Sequence, residues 1–434
     1  MTPLTIGIIG MIVLVILLLI GVPVGISMLV TGFVGFAAIV SIKGATGMLK
    51  GVLYSTVSNY SLSVVPLFIL MGFFAYYSGL SRDLYNFAHA MLGHRPGGLA
   101  LATLTACGFF SAICGSSTAT TATFGAICYP EMKRYGYDSA LATGSISAGG
   151  TLGILIPPSV GFILYGIIAS LSIGKLFAAG ILPGILLCIL YMIVVMIQVK
   201  INPALGPASS RSPWRARLKF FLAASPMFII FILVIGGMFI GLFTANQAAA
   251  IGAIGSFIYM VLKRMATWQN IIAALKQTAQ TVGMIFLILI GAYSLGYFLS
   301  ISTIPVSLAK WIGSLDVSKW VVLILIMIFY AFLGLLMDSL AMVLLTTPIF
   351  LPVITALGFD PVWYGVLMVM TMEMGQITPP VGINLFIMKG CVGDDVPIST
   401  IIRGAAPHIL AIITALVIVI AFPAFPMLLP SLFF

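Results

Sequence analysis

Charged side chains are scarce in this sequence. Asp, Glu, Lys and Arg make up 6% of its 434 residues, whereas hydrophobic residues make up 62%. Soluble globular domains carry about 25% charged residues, so this chain has too little polar surface for a water-exposed fold. Apolar runs of about 18 or more residues recur along it, each long enough to cross the hydrocarbon core of a lipid bilayer. The sequence predicts an all-α polytopic membrane protein whose first membrane helix lies near 4–20.

Side chains that bind metals or activate water are scarce too. The five cysteines lie in apolar segments without a CxxC pair, which is typical of small buried hydrophobic residues. His89 and His94 are expected in a polar loop, and His408 stands alone. No His cluster, Cys–His pair or close pair of acids lies in the apolar segments. We therefore expect neither a metal centre nor an enzyme.

Basic residues outnumber acidic ones by 19 to 9, but in a membrane protein their distribution matters more than their sum. We therefore predict no nucleic-acid partner. With the N-terminus outside and two non-crossing hairpins, fourteen of the 19 basic residues face the cytoplasm, as the positive-inside rule requires. The five outside are Lys43, Lys50, Lys175, Lys310 and Lys319.

The chain divides into two similar halves, 1–200 and 218–434. The segment between them, 201–217, is rich in Pro, Ser and Arg and predicts a cytoplasmic linker. Each half has five predicted crossings, an odd number, so the repeats are expected to be inverted, as in alternating-access transporters. The scaffold helices, hairpin and broken helix are predicted at 4–60, 98–133 and 138–170 in the first half, and at 218–281, 319–357 and 361–391 in the second.

Each hairpin segment is about twice as long as one crossing. It forms either two complete helices joined at the far surface or a re-entrant hairpin that ends inside the membrane. The charge count is the same for both. The first tip, Gly115–Thr123, lacks the charges and Pro-Gly pairs of a surface turn, and small hydroxyl residues suit a backbone buried in protein. This composition favours re-entrant hairpins.

Polar residues interrupt the apolar segments at four places. The hairpin tips read CGSSTATTAT at 114–123 and GLLMDS at 334–339, and the broken helices read GGTLGILIPPS at 149–159 and EMGQITPPVGIN at 373–384. Proline frees a carbonyl one turn back, and glycine lets an unwound backbone pass closely. Freed carbonyls with hydroxyl or Asp oxygens suit an alkali cation such as Na⁺. Half-helix N-termini favour a carboxylate, so an ion and anion site near the midplane is predicted.

Single residues at these places allow more than one interpretation. Two roles are open for the GSS at 115–117. Its small residues allow close packing between helices, or they contact an ion or the substrate. Asp338 neutralises a bound Na⁺ or has a structural role, and we favour the former because intramembrane carboxylates are costly and usually functional. Glu373 caps its half-helix or pairs with Lys389. Hydroxyl bonding back to the same helix is expected for Thr118, Thr120, Thr121 and Thr123.

Together these motifs resemble the large membrane subunit, the DctM type, of tripartite ATP-independent periplasmic (TRAP) transporters. The likeness covers essentially the whole chain. It is carried by PLFILMG at 66–72, GSS at 115–117, GYD at 136–138, GTLGILIPPS at 150–159, LFAAGILPG at 176–184 and QITPPVGINLF at 376–386.

The resemblance implies an elevator in the bacterial inner membrane, with a scaffold domain and a transport domain that carries both hairpins. It implies Na⁺ symport that imports a small organic anion such as a C4-dicarboxylate or sialic acid. The implied partners are a small four-helix membrane subunit and a periplasmic substrate-binding protein. A passive anion channel is the alternative, although no open polar stripe is evident.

By the same likeness the ligand sites map onto the four interruptions. The residues expected to bind sodium at the first tip and break are Gly115, Ser116, Ser117, Gly150, Thr151 and Gly153. The residues expected to bind sodium at the second tip and break are Gly334, Asp338, Ser339, Gly375 and Thr378. Expected to contact the substrate are Ser116, Ser117, Pro158, Ser159, Pro380 and Asn384.

The chain departs from the family pattern at two positions. Gln247 stands where FTPTEAAA commonly has Glu, and Cys114 stands where a Ser is common before GSS. Gln247 lies outside the predicted ion sites, so its change bears on a scaffold or partner contact rather than on coupling.

Overall fold

The computed structural model describes residues 1–314, 317–335 and 337–434, with the side chains of 309 and 311–314 left undescribed. The regular structure of these residues is helical throughout. The helices of the first half are α1 (Pro3–Leu19), α2 (Val24–Ile39), α3 (Ile42–Ser58), α4 (Val64–Tyr77), α5 (Leu80–Leu92), α6 (Gly98–Cys114), α7 (Ser117–Arg134), α8 (Ser139–Leu155), α9 (Val160–Ile168) and α10 (Ile173–Ile201).

The second half begins with α11 (Trp214–Phe231), which a π-helical turn connects to the short α12 (Gly237–Phe239). The remaining helices are α13 (Ala245–Leu262), α14 (Trp268–Ser302), α15 (Ile304–Ser314), α16 (Lys319–Gly334), α17 (Ser339–Ala356), α18 (Pro361–Gln376), α19 (Ile383–Val392), α20 (Ile398–Ala421) and α21 (Ala424–Phe433).

Many of these helices suit a bilayer. Among the described residues, eight helical stretches are long and apolar enough to cross a membrane, and five shorter apolar helices accompany them. Large apolar side chains such as Leu19, Leu222 and Ile328 stay exposed on the outer surface, where lipid would cover them. The prediction of an all-α polytopic membrane protein is confirmed.

Pairs of helices lie at the predicted hairpin and broken-helix segments. Helices α6 and α7 form the first hairpin, and α16 and α17 form the second. A break at 156–159 separates α8 from α9, and one at 377–382 separates α18 from α19. The order of hairpin and broken helix is therefore the same in both halves, while the inversion of one half relative to the other stays a prediction.

Three segments differ from the sequence expectation. The expected loop after α4 is helix α5, whose buried Leu80, Leu84 and Ala88 recur at helical spacing. The boundary at 281 falls inside the continuous α14, so the scaffold segment 218–281 ends too early. The last apolar segment divides into α20 and α21 at Phe422–Pro423, because proline disfavours helix in the residue before it.

The broken helices form the centre of the molecule. Residues 141–155 of α8 are all buried, as is nearly every residue of α18. Helix α8 packs closely against α20 at a pair of glycines, Gly144 and Gly404. A Cβ added at Gly144 would lie 2.1 Å from the carbonyl oxygen of Gly404, so a larger residue would not fit. The helices that lead into the two breaks thus lie in the most protected part of the fold.

Candidate functional site

Both hairpin tips are helix N-termini capped by their own side chains. At the first tip, Gly115 adopts a positive φ of 63° that turns the chain, and the Ser116 hydroxyl accepts a hydrogen bond from Ala119 N at 3.3 Å. At the second tip, the Asp338 carboxylate accepts one from Leu340 N at 3.0 Å. Each cap leaves backbone N–H groups of the first helical turn directed at the tip.

Glycines bring each tip against its neighbouring helix break. A Cβ at Gly153 of α8 would lie 2.6 Å from the carbonyl oxygen of Ser116. A Cβ at Gly375 of α18 would lie 2.5 Å from the Cα of Gly334. Since no real Cβ tolerates such distances, both contacts require glycine. The tips are therefore packed inside the protein and do not lie on its surface.

The two tips meet at Glu373 on α18. This residue is fully buried, and its two carboxylate oxygens accept hydrogen bonds from Ser117 Oγ at 2.5 Å and from Ser339 Oγ at 2.8 Å. Gln376, one turn later, donates through Nε2 to Ser339 Oγ and to the Met337 carbonyl, both at 3.2 Å. One carboxylate thus joins residues that are more than two hundred positions apart.

The two interpretations of Glu373 offered by the sequence were both wrong. Lys389 instead pairs with Asp394 at 3.5 Å and donates to the Gly393 carbonyl at 2.6 Å. Glu373 also caps no helix, because its carboxylate accepts from two serine hydroxyls and from no backbone N–H of the described residues. Sequence alone identified an acid inside the membrane but not its partners, since they belong to two distant hairpins.

The carboxylates of Asp338 and Glu373 lack a basic partner among the described residues. In the part of the chain that the structure describes, ion pairs join Lys133 to Asp395, Lys263 to Asp83 and Lys389 to Asp394. None of them involves Asp338 or Glu373. An ionised carboxylate buried without a countercharge is strongly unfavourable, so the fully buried Glu373 must be neutralised by a proton or by a bound cation, whereas the half-buried Asp338 faces the cavity.

Behind the first break, the hydroxyl of Thr151 is held in place by two partners. It donates to the Ala148 carbonyl at 2.7 Å, so it accepts from the Tyr191 hydroxyl at 2.9 Å. The Tyr191 ring meets His408 edge to face at 5.4 Å. No sequence signal identified Tyr191, which lies on α10, forty positions from Thr151.

The remaining predicted site residues lie around this centre. Ser159 caps α9 by accepting from Phe162 N at 3.3 Å, and Thr378 donates to the Met374 carbonyl at 2.6 Å. A Cβ at Gly150 would meet Thr121 Oγ1. Asn384 is fully buried, and neither atom of its amide has a hydrogen-bond partner among the described residues, whereas Pro380 is exposed.

A cavity of about 960 Å³ lies beside the tips. The first tip contributes Gly115 and Ser116, and the second contributes Asp338. Of the residues predicted to contact substrate, Ser116 lines the cavity, whereas Ser117 turns away to Glu373. The opposite wall is formed by α2, α4 and α14, which supply polar groups that the sequence did not single out: Tyr76, Tyr77, Gln277 and Thr281.

Charge is almost absent from this cavity. Among its described lining residues, Asp338 is the only charged one, and there is no Lys or Arg. The cavity is large enough for a small organic molecule, since typical ligand pockets measure about 300–1,000 Å³. A site built from helix breaks and hairpin tips in a polytopic membrane protein is the arrangement of a secondary transporter.

The same class follows from similarity to known proteins. A family model described as the tripartite ATP-independent periplasmic transporter, DctM component, matches residues 11–425. The chain therefore belongs to this family, and it is the large membrane component of a transporter. The resemblance seen in the sequence motifs is confirmed.

Two relatives and one solved structure illustrate the similarity. The chain is 36% identical over 380 residues to the C4-dicarboxylate TRAP transporter large permease protein DctM of Pseudomonas aeruginosa, covering 87% of this chain and 88% of the relative. It is 33% identical over 427 residues to the sialic acid TRAP transporter large permease protein SiaM of Vibrio cholerae, covering 96% of each. The YdaH transporter of Alcanivorax borkumensis shares the fold, with a TM-score of 0.67 at 17% identity over 89% of this chain and 90% of YdaH.

Proposed function

We propose that this chain imports a small organic anion, coupled to sodium entry, by an elevator mechanism. Relatives that cover most of its length are named for transport of C4-dicarboxylate and of sialic acid, and both substrates carry carboxylates. The observation that carries the proposal is Glu373, a buried carboxylate that links both hairpin tips beside a cavity without a basic residue.

Sodium is the countercharge that fits this chemistry. An anion in the cavity would face the carboxylate of Asp338, with no Lys or Arg among the described lining residues to offset it. Two kinds of group can stabilise an anion bound in the cavity. They are the N-termini of α7 and α17, and cations bound at the tips. Hydroxyl, carboxylate and carbonyl oxygens cluster at both tips, and such hard oxygens suit Na⁺. Substrate binding would then require sodium, which is the basis of symport.

The cavity's position supports an inward-facing state. Its scaffold wall includes Tyr76 and Tyr77 at the end of α4, Pro23–Gly25 at the start of α2, and residues between 277 and 288 in the middle of α14. In the orientation that the basic residues favour, these helix ends face the cytoplasm. The cavity would therefore open to the cytoplasm, and the N-terminus would lie in the periplasm of a bacterial inner membrane.

The residues around this cavity support a division into the two bodies that an elevator needs. On one side lie both hairpins and both broken helices, linked through Glu373 and the glycine contacts. On the other side lie α2, α4 and α14. Moving the first group as a unit past the second would carry the tips and their ligands across the membrane, and re-entrant hairpins would keep the tips at membrane depth throughout.

Two partner proteins complete the proposed system. The family is described as tripartite and this chain as one component of it. The others would be a small four-helix membrane subunit and a periplasmic substrate-binding protein that selects the anion. Nothing in the cavity identifies the substrate by itself, so binding assays on the periplasmic partner would name it.

Reconstitution tests this proposal. Proteoliposomes containing the chain and its two partners are loaded with buffer, and uptake of labelled C4-dicarboxylates and sialic acid is followed with and without inward Na⁺. We expect uptake only with sodium and the binding protein. Uptake that is unchanged when choline replaces sodium would refute the coupling, and single-channel conductance would support a passive pore instead.

A further inference from the structure

A group of basic side chains gathers on the surface where the linker 201–217 meets the turn between α5 and α6. Two backbone hydrogen bonds fix the linker there, from Gly97 N to the Gly206 carbonyl at 2.8 Å and from Ser209 N to the Gly93 carbonyl at 2.9 Å. The Ser209 hydroxyl also lies 3.2 Å from His89 Nε2. The linker is thus held in a defined position against the turn between α5 and α6.

This docking brings four basic residues from three elements together. His94 and Arg95 come from the turn, Arg211 from the linker and Arg217 from the first turns of α11. Partial burial, together with the positive charges of Arg217, Arg211 and Arg95, lowers the pKa of His94. These four residues are called the linker cluster below.

The linker cluster has shielded polar atoms without hydrogen-bond partners. The Nε and Nη2 atoms of Arg217 and the Nδ1 atom of His94 are shielded from solvent and have no hydrogen-bond partner among the described residues. The ion pairs formed within the described ranges involve none of the four residues. Glu131 acts electrostatically on His89 and is not among the groups that shift the pKa of His94. The concentrated positive charge therefore calls for an anion from outside the chain.

The adjoining surface indicates which anion. Trp214, which begins α11, is 72% exposed, and Leu218 and Leu222 on the same helix are 47% and 61% exposed. This apolar face starts beside the linker cluster and continues along α11 in the direction of the bilayer core. A phosphate diester bound by the guanidinium groups would place its acyl chains along that face, with Trp214 at the interface.

We propose that the linker cluster binds the phosphate of an anionic phospholipid, such as phosphatidylglycerol, in the leaflet that faces the linker. A choline or ethanolamine headgroup would bring a cation toward the cluster, so zwitterionic lipids bind more weakly. Basic pockets at the cytoplasmic ends of membrane helices are suited to such headgroups. The site is separate from the hairpin tips and does not depend on the identity of the transported anion.

Lipid retention measures this binding directly. The purified chain is delipidated in detergent, exposed to phosphatidylglycerol or phosphatidylcholine, and analysed by native mass spectrometry. The test variant is Arg211→Gln with Arg217→Gln, and the matched control is Arg215→Gln with Lys219→Gln, which removes two exposed charges from the same helix. We expect phosphatidylglycerol affinity to fall about 30-fold in the test variant, since each basic residue near an anionic lipid contributes roughly fivefold. The control is expected to stay near the unmodified protein.

Equal losses in the two double variants would show only a general charge effect and overturn the site, as would an unchanged test variant. Inorganic phosphate is the competing arm: if millimolar phosphate displaces phosphatidylglycerol, the ligand is a soluble phosphate and the lipid assignment is wrong. If the test variant misfolds, thermal melting of the unmodified protein with each lipid tests the proposal instead. Phosphatidylglycerol is expected to raise its melting temperature more than phosphatidylcholine does, and equal shifts would contradict the proposal.

Discussion

Ser117 on the first hairpin and Ser339 on the second donate hydrogen bonds to opposite oxygens of a single carboxylate, that of Glu373. Each serine is the first residue of the helix that follows its tip. The two tips are therefore held at one point in the interior, and a change at that carboxylate acts on both hairpins together.

Glu373→Gln tests whether this carboxylate acts through its charge. The amide has nearly the same shape and retains one acceptor, so the chain should fold, but it cannot offset a bound cation. We expect the half-saturating Na⁺ concentration for uptake to rise by about tenfold, the effect of roughly 1.4 kcal/mol. The control is Glu131→Gln, which neutralises an acid away from the tips. An equal rise in the half-saturating Na⁺ concentration for this variant would show that the effect does not depend on the Glu373 site.

Ser339→Ala tests the hydrogen-bond network itself. Its hydroxyl serves both Glu373 and Gln376 Nε2, and its loss would leave buried groups short of a partner. A loss of about 1–3 kcal/mol in unfolding free energy is expected, seen as a lower melting temperature. Ser431→Ala, which removes an exposed hydroxyl that bonds within its own helix, should change little. Equal melting temperatures for the two variants would show that the network contributes no stability.

Asp338→Asn separates an ion-binding role from helix capping. Asn caps helices about as well as Asp, so α17 should keep its N-terminus and the melting temperature should hold. The loss of charge in the cavity wall should nevertheless weaken the sodium dependence of uptake. A sodium titration identical to that of the unmodified protein would remove Asp338 from the ion site and leave it as a cap.

Gly375→Ala tests the close approach of the second tip to its helix break. The added Cβ would meet the backbone of Gly334, and forcing extra atoms into a packed core costs about 1–3 kcal/mol. Uptake should fall strongly as the tip is displaced. Gly283→Ala on α14 is the matched control, because a Cβ there meets nothing within 4 Å. Full activity of Gly375→Ala would mean that the tip tolerates displacement.

Thr281→Cys tests the direction in which the cavity opens. With the exposed Cys391 and the cavity-lining Cys114 replaced by Ser, a membrane-impermeant maleimide should label residue 281 from the cytoplasmic side, and bound substrate should protect it. Thr278→Cys on the same helix is buried and should resist labelling. Labelling from the periplasmic side alone would reverse the proposed orientation.

The sequence predicted the hairpins and helix breaks well because local chemistry marks them. Gly115 and the Pro-Pro pairs interrupt helices wherever they occur, and Thr120 and Thr123 bond back to their own helix as expected. Helix α5 was missed because its apolar stripe is narrow and its mean hydropathy low, so it resembled a loop. His89 accordingly lies on a helix, bonded to Ser209.

Other features depend on tertiary contacts that no local pattern encodes. Glu373 finds its partners on two hairpins, and Thr151 finds Tyr191 on α10. Thr118 contacts Ser116 Oγ at 3.1 Å, and Thr121 Oγ1 has no partner among the described residues, so both differ from their expected back-bonding. Cys107 and Cys128 are buried as predicted, but Cys391 is exposed.

The direction of net flux under opposed gradients tests the central claim, that sodium entry drives anion accumulation through this site. Proteoliposomes with the complete system are given an outward anion gradient and an inward Na⁺ gradient of variable size. Coupled transport predicts anion uptake against its own gradient above a threshold Na⁺ gradient. That threshold is set by the coupling stoichiometry, so Glu373→Gln should keep it while its flux at limiting Na⁺ falls. Net flux that follows the anion gradient at every Na⁺ gradient would contradict the account.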